Sequence, residues 1–323
     1  MYKVLLRRLL ILIPQLIAIS LFIFILASFM PGDALSGLID PNLTMAEIER
    51  MREELGLNNP WYVQYWDWIT SFVRGDFGQS TAHHRPVIDI VGERLFNTFW
   101  LGSITLVLTY MIAIPLGVLA GKHSGRWIDR LASLYAFTSL AMPSIVMGIL
   151  MMFWFSPVGL GWFPLSGTVD VMVVATGDPL AIFVSRIHHM MLPAITGALV
   201  SVVGIFFTLR ANIIDRKNSD YVNLARSKGV PTRVIFNKHI LRNSLVPVAA
   251  NLGIIIAGIF LGSVFIERVF HFQGVGTLFL DSILRRDFPV ANFIIMFSAF
   301  LTATGVLLSD IILTLVDPRI RIE

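Results

Sequence analysis

The chain has 323 residues, of which 55% are hydrophobic and 14% charged, with a mean hydropathy of +0.75. Soluble domains carry about 25% charged residues, so this composition excludes an ordinary water-soluble protein. The absence of cysteine excludes disulfides, thiolate metal sites and a cysteine nucleophile, and the net charge of +4 does not indicate a nucleic-acid binder, because the basic residues cluster beside apolar runs.

Lys3, Arg7 and Arg8 precede an uncharged run over residues 9–30. At about 1.5 Å per residue this run reaches roughly 33 Å, enough to cross a bilayer. The apolar region of a cleaved signal peptide would be shorter, so the run reads as a retained span with the N-terminus inside. Residues 31–94 then form a long segment on the outer side. Within it, Thr44 and Glu47 have capping-box spacing, Met45, Ile48, Met51 and Leu55 share one helical face, and Gly56 stops the helix. Asn59-Pro60 opens a second helix, whose Trp61, Tyr65, Trp66, Ile69, Phe72 and Val73 lie mostly on one side and suit the membrane interface. His83 and His84 are adjacent, so they share no helical face and read as solvent-facing.

Further spans are expected over residues 95–121 and 131–155, joined by a short inner loop bearing Lys122, Arg126 and Arg130. Residues 157–189 read as irregular outer structure, in which the apolar run at 171–175 is too short to cross. Residues 190–209 form a fourth span, 244–266 a fifth and 288–316 a sixth, with both chain ends inside. Residues 267–289 return to the outer side. Gly274 and Gly276 there suggest a phosphate loop, but the full nucleotide fingerprint is absent. Pro14, Pro115, Pro143, Pro193 and Pro247 are kink positions, and Gly253, Gly258, Gly262 and Ser263 allow close helix contact. Asp310 falls inside the sixth span, where a carboxylate costs about 2.5–3.5 kcal/mol on insertion scales; a structural cap or salt bridge is expected for it.

The polar stretch over residues 215–243 interrupts the apolar pattern. It holds Arg216, Lys217, Arg226, Lys228, Arg233, Lys238 and Arg242 against Asp215 and Asp220, which places it on the cytoplasmic side. Ser219 and Asp220 are N-cap candidates, residues 221–228 allow two helical turns, and Gly229 suits a left-handed C-cap. Pro231 permits a restart near Thr232, and a second short helix runs to about Asn243. By charge alone the stretch could be a solvated connector that only fixes topology. Lys217 lies outside the helix pair, and its replacement is expected to be mild.

Several motifs carry a resemblance. DYVNLARSKG at 220–229 followed by HILRNSLVP at 239–247 resembles the cytoplasmic loop of ABC importer permeases, and most of all the B-type permease subunit of the dipeptide, oligopeptide and nickel importers. Arg7-Arg8, MPGD at 30–33, QYWDW at 64–68, GDFGQS at 75–80, ERVFHFQGVG at 267–276, RRDFP at 285–289 and DPR at 317–319 extend it almost end to end. Ala225 and Gly229 fall on the signature alanine and glycine. Asn223 and Leu224 stand where Glu and Ala are usual, and Arg242 stands where Pro is usual; the last departure is the B-type form.

The resemblance implies an all-α integral membrane protein with six transmembrane helices of the ABC importer permease fold and a helical extracellular insertion. It implies a prokaryotic plasma-membrane subunit of a binding-protein-dependent importer, with oligopeptides favoured and dipeptides or nickel as alternatives. The implied partners are a homologous C-type permease, two ATPase subunits that bind ATP and Mg, and an extracellular binding protein. Residues 215–243 become the ATPase-coupling loop, with Tyr221, Asn223, Leu224, Ala225, Arg226, Lys228, Gly229, His239, Arg242 and Asn243 as its working residues. The chain has no Walker A sequence, so hydrolysis is expected in the partners, and no catalytic, metal or cofactor site is assigned in this chain. No substrate-contacting residue can be named from sequence. Two other classes remain open from the residues. An ion-coupled secondary transporter would show repeats and charged residues deep in its spans. An intramembrane enzyme would need paired catalytic groups there, and His188-His189 sit only at a span boundary.

Overall fold

The structure is a computed structural model that describes residues 2–29, 44–54, 56 and 58–316. The MPGD motif, the side chains of Lys3, Arg7 and Arg8, the apolar face of Met45, Ile48, Met51 and Leu55, and the tail from Asp317 lie outside the described residues or side chains. Among the described residues the regular structure is helical, apart from an isolated antiparallel bridge between Gln79 and Pro86.

In chain order the helices are α1 (Tyr2–Phe29), α2 (Met45–Glu54), α3 (Trp61–Val73), α4 (Val87–Lys122), α5 (Trp127–Ala141), α6 (Ser144–Phe155), α7 (Val171–Thr176), α8 (Pro179–Lys217) and α9 (Asp220–Ser227). The chain continues through α10 (Thr232–Val234), a π-helix at Ile235–Leu241 and α11 (Arg242–Ser244). Then come α12 (Val246–Ala250), α13 (Leu252–Gly258), a 3₁₀ turn at Ile259–Leu261, α14 (Val264–Val269), α15 (Val275–Leu284) and α16 (Phe288–Val316). Among the described residues, four stretches are long and apolar enough to cross a membrane: α4, α8, residues 252–269 and α16. The α5–α6 pair makes a fifth if it is one span, and α1 holds a shorter apolar helix at Leu10–Leu26.

The chain divides into two compact units. The first comprises α1, α2, α3, α4 up to Phe96, α15, and α16 up to Ala303. The expected capping box is present at α2. The Thr44 amide and hydroxyl donate to the Glu47 carboxylate at 2.8 and 2.7 Å and hold it below the usual carboxylate range. The core of this unit joins Val87, Ile90 and Val91 of α4 to Val275 and Leu278 of α15 and to Val290, Phe293 and Ile294 of α16. A ladder of rings extends it through Phe24, Tyr65, Trp68, Phe72, Phe77, Phe293 and Phe297, with neighbouring centroids 4.5–6.3 Å apart along the ladder, within the range of favourable aromatic pairs.

The second unit comprises α4 from Asn97 through α14, and α16 from Thr304. Its centre is α8, whose 39 residues extend about 58 Å. Alanines bring α4, α5 and α8 together, with Ala113, Ala120, Ala132, Ala136, Val202 and Phe206 buried in one cluster. Gly253 of α13 faces the backbone of Gly305 and Ser309 on α16, and the Ile254 amide donates to the Ser309 hydroxyl at 3.1 Å. A β-carbon at Gly253 would meet that backbone, so the expectation of close contact holds there. Gly258 instead opens onto a cavity.

Four differences from the sequence reading have local causes. The apolar stretch 131–155 is not one straight helix: it bends by 107° at Met142–Pro143. Met142 is extended (φ −89°, ψ 121°), as proline disfavours helical geometry in the residue before it. The stretch 244–266 is broken into short pieces, with Gly262 at φ +68° ending the 3₁₀ turn. α4 begins eight residues before the expected span, because residues 87–94, where Val87, Ile90 and Val91 alternate with Asp89, Glu93 and Arg94, continue the same helix. The supposedly irregular segment 157–189 contains α7, capped by the Asp170 side chain on the Met172 amide at 2.8 Å, and the beginning of α8.

Candidate functional site

The polar stretch over residues 215–243 forms the expected helix–turn–helix. Ser219 is the N-cap of α9, but its hydroxyl donates to the Arg216 carbonyl at 2.6 Å and does not cap. At the other end Gly229 takes φ +73°. Its amide donates to the Arg226 carbonyl at 3.0 Å, and the Val230 amide donates to the Ala225 carbonyl at 3.1 Å. This pair of bonds is a Schellman stop. Ala225 and Val230, its two apolar positions, both pack on the same cluster. Pro231 precedes the restart at Thr232, and the second helix adopts π geometry over Ile235–Leu241. A π segment is rare and recurs at functional positions. No residue-spacing signal in the sequence reveals it.

One face of this object is packed and the other free. Val222, Ile235, Phe236 and Ile240 are buried together with Leu209 and Ile213 of α8 and Val248 of α12. Tyr221 packs against this cluster with its hydroxyl buried and without a hydrogen-bond partner among the described residues. Of the ten residues singled out from sequence, Asn223, Leu224, Arg226, Lys228, Gly229, Arg242 and Asn243 are exposed, His239 is half-buried, and Tyr221 and Ala225 face the interior. Leu224 is 56% exposed and Val234 43%, so the free face is basic with two apolar points.

The stretch is fastened at its root. The Lys217 ammonium, at the end of α8, donates to the Gly121 and Lys122 carbonyls at 2.5 and 2.6 Å. These carbonyls belong to the last turn of α4, where a cation satisfies unpaired acceptors and complements the helix dipole. Lys217 lies outside the helix pair, as read from the sequence, and in addition joins α8 to the end of α4. Arg210 of α8 grips Asp129 of α5 with two bonds of 2.5 and 2.9 Å, and Asp129, 3% exposed, also accepts the Gly125 amide at 2.8 Å. Lys122 sits over the Phe236 ring at 5.3 Å from its centroid.

The second unit also contains a cavity of about 740 Å³. Its wall includes Thr98, Thr105, Thr109, Ser144, Ser201, Thr208, Asn251 and Ser263, with Gly102, Gly204 and Gly258 between them. The hydroxyls of Thr105, Thr109 and Thr208 donate to carbonyls four residues earlier in their own helices. They therefore present acceptors rather than free donors. Glu267, assigned from sequence to an outer loop, belongs to α14, is fully buried at the cavity wall and accepts from Thr98 at 3.4 Å. Sequence reasoning missed it because it follows the last residue of an uncharged run. His188 and His189 bond to the Trp162 and Ser185 carbonyls at 2.9 and 2.8 Å.

A family model described as binding-protein-dependent transport system inner membrane component matches residues 113–322, and one for the N-terminal part of such membrane components matches residues 1–102. The chain is 38% identical to the oligopeptide transport system permease protein AppB of Bacillus subtilis, over 98% of each chain. It is 34% identical to the glutathione transport system permease protein GsiC of Escherichia coli, over 99% of each. Among solved structures, the inward-facing MetNI methionine ABC transporter superposes with a TM-score of 0.53 at 15% identity, covering 71% of this chain and 97% of that one.

Proposed function

The chain belongs to the family of binding-protein-dependent transport system inner membrane components, and from that premise we propose that it is the B-type transmembrane subunit of an ABC importer for oligopeptides. Near full-length similarity to a permease named for oligopeptide transport supports the substrate class. In this reading the chain crosses the plasma membrane of a prokaryote six times with both ends in the cytoplasm, and residues 31–94 form an outer insertion. It contributes half of the pathway beside a homologous C-type subunit. Two ATPase subunits hold ATP and Mg and carry out hydrolysis, and an extracellular binding protein delivers the peptide. The chain itself is non-catalytic.

The observation that carries this reading is the two-sided loop. Its apolar face is seated on α8 and α12, and its basic face, with Leu224 and Val234, is free for another protein. Residues 215–243 thus act as a lever. ATP-driven movement of a docked ATPase is passed through Val222 and Phe236 to α8, and through Lys217 to the end of α4. Coupling of this kind requires the ATPase to bind the inward- and outward-open states with different affinity. The test is reconstitution in liposomes of the chain with its C-type, ATPase and binding-protein partners. ATP-dependent accumulation of a labelled tripeptide by the full complex, and none by this chain alone, is expected. Accumulation by the chain alone overturns the proposal.

A further inference from the structure

Helix α3 has three sides rather than two. At 3.6 residues per turn, Tyr65, Trp68 and Phe72 share the side that packs inward, with Tyr65 and Trp68 on Phe24 and Phe72 on Phe77. Gln64, Asp67, Ser71 and Arg74 share a polar side. Tyr62, Trp66, Ile69 and Val73 share the third, and three of these four apolar side chains are left uncovered, Tyr62 at 58% exposed, Trp66 at 66% and Val73 at 80%, while Ile69 is half-buried.

The contact with α1 fixes the level at which this uncovered side stands. The Tyr65 hydroxyl lies 2.8 Å from the Ser20 hydroxyl. Ser20 gives its own proton to the Ile17 carbonyl, so Tyr65 is the donor. Exposed apolar side chains lie on α1 both before this contact (Leu10, Ile13, Ile17) and after it (Phe22, Leu26). Measured from Leu9, where the uncharged run begins, Ser20 is about 17 Å and Phe24 about 23 Å along the helix. The hydrocarbon layer is about 30 Å thick. Phe24 is thus still within hydrocarbon, in the outer half of the bilayer, and a helix packed on it is not standing in water. The composition agrees, since Trp and Tyr concentrate where the acyl chains meet the headgroups.

We propose that α3 is an interfacial helix lying in the outer leaflet. Tyr62, Trp66 and Val73 contact lipid acyl chains, and Asp67 and Arg74 reach the headgroups and water. The helix backbone satisfies its own hydrogen bonds, as that environment requires. The outer segment is then moored to the bilayer at α3. This inference rests on the proposed topology, in which α1 crosses the membrane.

The chain has no native cysteine, so single cysteines can be placed without background. Nitroxide labels at Trp66→Cys, Val73→Cys, Asp67→Cys and, on α1, Phe22→Cys are read by electron paramagnetic resonance in the complex assembled with cysteine-free partners in lipid nanodiscs. Collision with oxygen, which partitions into lipid, is compared with collision with a water-soluble nickel chelate. Labels at positions 66, 73 and 22 are expected to favour oxygen several-fold, and the label at 67 to favour nickel. Nickel-favoured labels at 66 and 73 with an oxygen-favoured label at 22 place α3 in water and overturn the proposal. Labels at 66 and 73 shielded from both reagents mean that protein covers this side, which also overturns it. A nickel-favoured label at 22 overturns the membrane placement of α1, the premise itself.

Discussion

The hydroxyl of Ser80 donates to the buried carboxylate of Asp287, 207 residues away in sequence. The Thr81 and Ala82 amides converge on the same carboxylate at 3.2 and 3.4 Å, and Asp287 is 1% exposed. Bonds to a buried ionised acceptor contribute about 1.5–3 kcal/mol each. Asp287→Asn keeps an acceptor for Ser80 but turns an amide group toward backbone donors. It is expected to lower the melting temperature of the purified protein by several degrees and to speed proteolysis between residues 74 and 86. Ser80→Ala should do the same more weakly. Wild-type melting and proteolysis in Asp287→Asn would show that this clasp contributes nothing.

At Lys217 the structure adds a contact that the sequence does not show, and with it a larger expected effect. Lys217→Met keeps the aliphatic stem and removes the charge that caps α4. A loss of about 1–2 kcal/mol in denaturant stability is expected, in the upper range for a cation at a helix end. Peptide-stimulated ATP hydrolysis in the complex should weaken because α4 and α8 are no longer joined at this end. Unchanged stability and hydrolysis would return Lys217 to the role of a surface charge.

The Arg210–Asp129 pair calls for a double-mutant cycle. Removing one partner leaves a desolvated charge and costs about 3–5 kcal/mol for a buried pair; with Arg210 partly exposed, the lower end is expected. Asp129→Ala and Arg210→Ala should each destabilise by more than the residual cost of adding the second change. A coupling energy of at least about 1 kcal/mol is expected. Additive effects would mean that the two side chains act independently.

The readable parts of the fold are those in which one short-range signal dominates. Gly229, Pro231 and the charge around them specify a helix, a left-handed stop and a restart, and the structure has all three. Thr44 and Glu47 specify their capping box in the same way. The unread parts depend on partners far along the chain. Nothing near RRDFP indicates that Asp287 seats on the 80–82 amides, and nothing near Lys217 indicates the end of α4. Hydropathy alone does not distinguish a straight span from the sharply bent α5–α6 pair, because the uncharged run over residues 131–155 continues unbroken through Met142 and Pro143. The inward turn of Ala225 and Tyr221 was hidden for a related reason. The motif identifies residues of the loop without separating those that hold it in place from those that face outward.

That separation is tested most directly at Gly229. Its φ of +73° is a conformation in which a residue with a β-carbon is strained by about 1–2 kcal/mol. Among the described residues nothing beyond its chain neighbours lies within 4 Å of where that β-carbon would be, so a clash with them is not a factor. Three substitutions separate the remaining effects. Gly229→Asn accepts positive φ with little strain but adds bulk to the exposed face. Gly229→Ala adds strain with little bulk, and Gly229→Val adds both. All three should insert and express near normally, since the spans are untouched. If the loop seats in a close-fitting groove of the ATPase, Asn and Val should both reduce ATPase co-purification and peptide uptake at least tenfold, with Ala intermediate. If only the backbone stop matters, Asn should behave as wild type while Val fails. Normal uptake in Gly229→Val would reduce the stretch to a solvated connector and remove the coupling role from this loop.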